Sequence, residues 1–163
     1  MTDTVRTCIT FKDRAEEAVK LYVSVFPNSK VTSLQRVDTD AGPLRKGQLL
    51  AAIFELDGRE FRAFDGGETF SFSEGISLDV TCKTQAEVDK YWNALTANGG
   101  EEGPCGWLKD RFGVSWQIVP EQLGQMLSDP RSGNAEACLN AMLKVKKLDI
   151  ATLEKAYRGS PVA

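Results

Sequence analysis

Two stretches of the chain carry the same order of apolar and polar positions. In the first, Val5 to Phe11 is a short β-prone run, after which Ala18, Leu21, Tyr22 and Val25 recur at the spacing of one helix face. Asp13, with Glu16 three residues on, forms a capping-box pattern ahead of that helix, and Pro27-Asn28 ends it. Strands are predicted over Lys30 to Val37, Gln48 to Leu56 and Glu60 to Phe64, with Gly42-Pro43 marking a loop and Asp57-Gly58 a hairpin turn.

The pattern restarts after Gly66-Gly67. Ile76 to Cys82 alternates as a strand does, Thr84 and Glu87 make a second capping box, and Val88, Tyr91, Trp92 and Leu95 give a second helical stripe. Asn98-Gly99-Gly100 ends that helix in the manner of a left-handed cap. Gly106 to Lys109 and Val114 to Val119 then flank Asp110-Arg111-Phe112-Gly113 as a second hairpin. Ala18 stands 70 positions before Val88 and Asp13 stands 71 before Thr84, whereas Gly58 and Gly113 are only 55 apart. The chain therefore reads as a duplicated strand-helix-strand-strand-strand unit, its second copy about 15 residues shorter, chiefly in its second strand and the loop after it.

Module one spans about 1–68 and module two about 74–120. The remainder, about 121–163, is a helical extension. It predicts a short helix over Gln122 to Leu127, a break at Asp129-Pro130, a helix over Asn134 to Leu143 striped by Ala137, Cys138, Ala141 and Met142, and a last helix over Asp149 to Tyr157. These helices are expected to cover an edge or opening of the sheet, leaving Lys144, Lys146 and Lys147 in water.

A length of 163 residues, 42% of them apolar and 26% charged, suits one compact domain or two small motifs sharing a core. A net charge of −3 and a pI near 5.1 supply no field for nucleic acid or anionic lipid. The opening MTDTVRTC lacks the basic and apolar regions of a signal peptide, and no window is long and apolar enough for a membrane span, so a cytoplasmic location is expected. Cys8, Cys82, Cys105 and Cys138 are scattered without a C-x-x-C pair and read as free thiols, with Cys8, Cys82 and Cys138 as small core residues. The chain contains no histidine, which removes Ser-His-Asp and Cys-His catalysis and every His-based metal site.

The wording narrows the picture. AEEAVKLYVSVFPNSKV, FDGG, ISLDVTCKTQAEVDKYWNAL, GGEEGPCGWLKDRFGVSWQIVP and MLKVKKLDIATLEKAYRG resemble the PhnB-like branch of the vicinal oxygen chelate superfamily, which includes glyoxalases, extradiol dioxygenases and the bleomycin and fosfomycin resistance proteins. The resemblance covers nearly the whole chain. It implies an α+β fold in which tandem βαβββ modules form an open barrel-like mixed sheet around a pocket, as a single domain and commonly a homodimer. Members of this branch have carried a demethylubiquinone methyltransferase label. No Gly-rich strand-to-helix loop followed by an acid at the next strand end supports that activity here.

In metal-using members the ligands come from the first and last strands of each module. The corresponding positions here are Thr7 or Cys8, Arg62, Gly75 or Ile76, and Gln117, the last closing Asp110-x-x-Gly113-x-x-x-Gln117 where a glutamate is usual. This set lacks the anionic or imidazole donors that a divalent ion needs, so no metal and no cofactor are expected. The mouth carboxylates Asp65, Glu68, Glu102 and Asp110 would form an ion site only by converging.

Alternation places Ser115, Gln117 and Val119 on one face of their strand and Val114, Trp116 and Ile118 on the other, under a helix. Gln117 is either a hydrogen-bonding anchor for an organic ligand or a satisfied polar side chain in a packed barrel. Trp107 is either a stacking surface or an element of packing. Arg62 and Lys109 either bind a carboxylate or phosphonate-type group or form a structural salt bridge to Asp110 or Glu60. Phe64-Asp65-Gly66-Gly67 is either pocket rim or linker, and Cys105 is the most accessible thiol. The candidate ligand-binding residues are thus Thr7, Arg62, Phe64, Trp107, Lys109, Ser115 and Gln117. The expected function is metal-independent binding of a small, apolar or aromatic molecule. The alternatives are a lyase, isomerase or dioxygenase with a non-histidine site, and an interaction module.

Overall fold

The computed structural model describes residues 5–129 and 133–159. Their elements run β1 (Thr7–Phe11), α1 (Ala15–Val25), β2 (Lys30–Arg36), β3 (Leu49–Leu56), β4 (Arg59–Asp65), β5 (Leu78–Cys82), α2 (Gln85–Thr96), β6 (Glu101–Glu102), β7 (Trp107–Lys109), β8 (Ser115–Pro120), α3 (Glu121–Ser128), α4 (Ala135–Met142) and α5 (Ile150–Tyr157). The chain divides into two compact units, one ending at Ser71 and the other beginning at Phe72. Pro130, expected to break the first of the C-terminal helices, lies outside the described residues.

The first unit holds a four-stranded sheet in the order β1-β4-β3-β2. β1 runs parallel to β4, and β3 pairs antiparallel with both β4 and β2. Ile9, Phe11, Ala52, Phe54, Phe61 and Ala63 are buried, and the register puts them on one side of the sheet. Helix α1 packs on β3 and β4 and buries Ala15, Ala18, Val19, Tyr22 and Val25. Each large apolar side chain so buried contributes roughly 1.5–3 kcal/mol. The helix is rotated slightly from the expected stripe, since Val19 is buried where Leu21 was expected and Leu21 is half-buried.

The start of α1 also differs from expectation. The N-cap position is Arg14, with no side-chain cap bond of its own. The backbone N–H of Ala15 donates instead to Oδ1 of Asp65, at 2.7 Å. The parallel register aligns Phe11 with Asp65, so the end of β4 delivers a carboxylate to the helix that follows β1. That carboxylate both accepts an orphan N–H and meets the positive end of the helix dipole. Asp57 and Gly58 take φ of 47° and 78°, the two left-handed residues that a tight hairpin requires.

The second unit repeats this topology in the order β5-β8-β7-β6, again with its first and last strands parallel. Thr84 caps α2 by accepting from Glu87 N–H at 3.2 Å, as its capping box predicts, whereas the Glu87 carboxylate reaches one residue past the cap and accepts from Lys83 N–H at 2.6 Å. Val88, Tyr91, Trp92 and Leu95 are all buried. The shortening of the second copy falls where expected: β6 has 2 residues against the 7 of β2. So short a strand has no periodicity to read.

Helices α3, α4 and α5 belong to the second unit and bury a small core of Leu123, Met126, Cys138, Leu148 and Leu153. Backbone bonds from Cys105 to Val145 (2.8 Å) and from Gly106 to Lys146 (2.7 Å) join this extension to the turn before β7. Gly106 is required there. Its φ is +85°, and a Cβ would lie 2.9 Å from the Ile118 carbonyl and 3.0 Å from Leu148. Lys146 and Lys147 stay at the surface and pair with Glu102 and Asp89.

Of the three cysteines expected in the core, Cys82 and Cys138 are buried but Cys8 is exposed. Cys8 alternates with Ile9 and therefore points to the side of the sheet away from α1.

Candidate functional site

The register of the second sheet assembles four of the expected residues. Strand β8 lies between β7 and β5, so Gln117 is opposite Trp107 on one side and Asp79 on the other. One pair along, Ser115 is opposite Lys109, and Lys109 is opposite Glu101 of β6. Directly opposed residues share a face, with Cβ atoms about 5 Å apart in antiparallel pairs. The alternate residues Leu108, Trp116 and Ile118 are buried, and α2 packs on the three strands β5, β7 and β8. The polar face is thus the one turned away from α2.

Its hydrogen bonding is incomplete. Gln117 donates from Nε2 to the Ser77 hydroxyl at 2.9 Å, which leaves its amide oxygen as an acceptor. Ser115 is 3% exposed, and its buried hydroxyl has no hydrogen-bond partner. A buried hydroxyl without a partner costs about 1–3 kcal/mol, a cost that a bound polar group would relieve. Trp107 is half-buried beside them, and its indole N–H donates to nothing among the described residues.

The Lys109 ammonium is already taken. It forms a salt bridge, as one of its two readings has it, but with Glu74 and not with Asp110 or Glu60. That hydrogen bond raises the Lys109 pKa above its ordinary value and lowers that of Glu74. Asp110 is buried within its own hairpin, where it accepts from Phe112 N, Val114 N and Trp116 Nε1.

In the first unit, Arg62 and Phe64 share a face with Cys8 and Thr10 of β1, and Cys8 is the direct partner of Arg62. Arg62 is exposed and makes no side-chain hydrogen bond or ion pair among the described residues. Glu60, one of the two acids considered for a salt bridge, pairs with Arg6 at 2.6 Å. Thr7 falls on the other face, aligned with Phe61, and its hydroxyl accepts from Arg59 at 3.2 Å. Of the two first-strand alternatives, Cys8 is therefore the neighbour of Arg62. Side chains alternate along a strand, so a one-residue difference exchanges the faces.

The carboxylates that might have formed an ion site each have a local task. Asp65 caps α1, Glu68 pairs with Lys12 at 3.6 Å, Glu102 accepts from Trp92 Nε1 at 2.8 Å, and Asp110 closes its hairpin. Among the described residues, no group of three or more His, Cys, Asp or Glu side chains is placed to hold a metal. The Phe64-Asp65-Gly66-Gly67 stretch is tied to β1, with Gly66 N–H donating to Phe11 O at 2.7 Å and Gly67 N–H to Lys12 O at 3.0 Å. No helix among the described residues is long and apolar enough to cross a membrane.

Sequence reading missed Asp79, Ser77 and Glu74 on the polar face. Alternation in Leu78–Cys82 did separate Asp79 from its apolar neighbours. Only the parallel register with β8 places it beside Gln117.

The family model described as 3-demethylubiquinone-9 3-methyltransferase matches residues 3–119. A Bacillus cereus protein described as a putative 3-demethylubiquinone-9 3-methyltransferase, PhnB protein, is 34% identical. The match covers 72% of this chain and 99% of that one, with a TM-score of 0.65. A Pseudomonas aeruginosa protein is 20% identical over 74% of this chain and 98% of that one, with a TM-score of 0.61. A mutant of the Listeria monocytogenes fosfomycin resistance protein FosX, complexed with Mn(II) and 1S,2S-dihydroxypropylphosphonic acid, is 16% identical over 78% of this chain and 98% of that one. Its TM-score of 0.55 reports a shared fold. No curated protein matches the chain. The duplicated βαβββ topology, the family model and the Bacillus cereus relative agree: this chain belongs to the PhnB-like family of the vicinal oxygen chelate superfamily.

Proposed function

We propose that the protein binds a small organic molecule without a metal, on the face of the second sheet formed by Trp107, Ser115 and Gln117. The observation that carries this reading is the buried, unpartnered Ser115 hydroxyl, next to the open amide oxygen of Gln117 and the half-buried Trp107 ring. Polar atoms of this kind fix orientation in otherwise apolar sites, and an indole offers a broad surface for stacking.

The Mn(II) of the FosX complex has no counterpart in the donors present here. Arg62 is a cation, and Gln117 offers a neutral amide oxygen where a carboxylate or imidazole would be needed, so neither position suits a divalent ion. Methyl transfer from a nucleotide-type cofactor would call for a glycine-rich turn between a strand and a helix. The β1–α1 turn is Lys12-Asp13-Arg14 and the β5–α2 turn is Lys83-Thr84, neither with a glycine. We take the methyltransferase description as a family name, not as this chain's activity.

Elemental analysis of protein purified without chelators is expected to find far less than one metal per chain, with no thermal stabilisation by Zn, Mn, Ni or Fe salts. A stoichiometric metal overturns the reading. In a thermal-shift screen of small aromatic molecules, a hit at 100 times its Kd adds about 2.7 kcal/mol. That shift should disappear in Trp107→Ala and Gln117→Ala. Homodimer formation accompanies this proposal, and light scattering of the purified protein at twice the 17.9 kDa chain mass would support it.

A further inference from the structure

Charge on the polar face of the second sheet is one-sided. The pairing registers and the Lys109 ion pair gather one cation, Lys109, with three carboxylates, Glu74, Glu101 and Asp79. Lys109 is engaged by Glu74, and Glu101 stands opposite it across β6 and β7. Asp79 is exposed and accepts no hydrogen bond or ion pair among the described residues. The Gln117 oxygen and the Ser115 hydroxyl add acceptor capacity without charge. Trp107, Gln117 and Asp79 form one row across the adjacent strands β7, β8 and β5. Two strand spacings put the ends of that row roughly 10 Å apart.

From this row we infer that the bound molecule is an organic cation, an arylalkyl amine whose ring lies on Trp107 and whose ammonium is met by Asp79 and the Gln117 oxygen. The inference rests on the small-molecule reading above and names its ligand class. An anion would find Lys109, the one cation that the registers place on this face among the described residues, already paired, and would lie close to two further carboxylates. An ammonium is attracted by Asp79 and by the indole face, and it brings N–H donors to acceptors that lack them.

Three probes of similar shape test this: 2-phenylethylamine, 2-phenylethanol and phenylacetate, each titrated by calorimetry and saturation-transfer NMR at low ionic strength and neutral pH. The amine is expected to bind about tenfold more tightly than the alcohol, as one exposed charge contact plus a cation–π contact would give, and phenylacetate is expected to bind most weakly. Asp79→Asn should bring the amine-to-alcohol ratio close to one. Trp107→Ala should weaken amine and alcohol alike. Circular dichroism and thermal melts confirm that each variant is folded; the Asp79 side chain is exposed, so its change to Asn leaves the core untouched. Tightest binding by phenylacetate, or an amine-to-alcohol ratio that survives Asp79→Asn, overturns the inference. Equal binding of amine and alcohol, both lost in Trp107→Ala, also overturns it but leaves the small-molecule reading standing. No binding by any of the three counts against both.

Discussion

The indole N–H of Trp116 donates to Oδ2 of Asp110 at 2.8 Å, inside the hairpin that closes the second module. The other carboxyl oxygen accepts from the backbone of Phe112 at 2.9 Å and of Val114 at 3.1 Å. Both residues are buried, Asp110 to 3% and Trp116 to 1% exposure. The aspartate of the family-like Asp110-x-x-Gly113 pattern is thus the lock of a turn, and Gly113, at φ 91°, completes it.

Removing that lock leaves several buried donors unpaired. Asp110→Ala is expected to cost about 3 kcal/mol, and Trp116→Phe about 1–2 kcal/mol. Chemical denaturation of the two single variants and the double variant forms a cycle. A coupling energy above about 0.5 kcal/mol is expected for residues in one network. Additive effects would mean that the 2.8 Å contact contributes little.

The cap of α1 gives a sharper contrast. Asp65→Ala removes the acceptor of Ala15 N–H and should cost about 1 kcal/mol, as loss of a helix cap does. Asp13→Ala, at the position the local pattern marks as the cap, should change stability by less than about 0.5 kcal/mol. Urea titrations of both variants decide between a cap delivered by β4 and one supplied locally.

Glu16 sets a pH dependence in the first unit. Its carboxylate accepts from Lys20 and from Arg36, which ties α1 to β2, and these bonds hold its pKa below the ordinary 4.5. A lowered carboxyl pKa means that the unfolded chain binds the proton more tightly. The contribution is therefore fully present above about pH 4.5 and is lost as pH falls through the lower, folded value. Glu16→Gln should be less stable than the parent by about 0.5–1 kcal/mol at pH 6, a gap that narrows as the pH falls toward 3. A gap that stays constant with pH would assign the effect to packing.

Much of this molecule is legible in its sequence because helix and strand periodicity are local. Val88, Tyr91, Trp92 and Leu95 are predicted together and buried together, and the Thr84 cap forms as its spacing requires. The duplication appears as a repeat offset, and it returns as two sheets with the same strand order. Alternation likewise separated Gln117 and Ser115 from Trp116, whose ring is buried.

What the chain determined by itself, then, is which residues are helical, which alternate, which turns close, and that histidine chemistry has no place here. What only tertiary structure decided is partnership between distant positions. Whether Asp13 or Asp65 caps α1, whether Cys8 or Thr7 neighbours Arg62, and whether Lys109 meets Asp110 or Glu74 all depend on strand register and chain return. The physical reason is that a one-residue shift in pairing leaves the local pattern unchanged and yet turns every side chain to the opposite face. The row of Trp107, Gln117 and Asp79 is a product of that register.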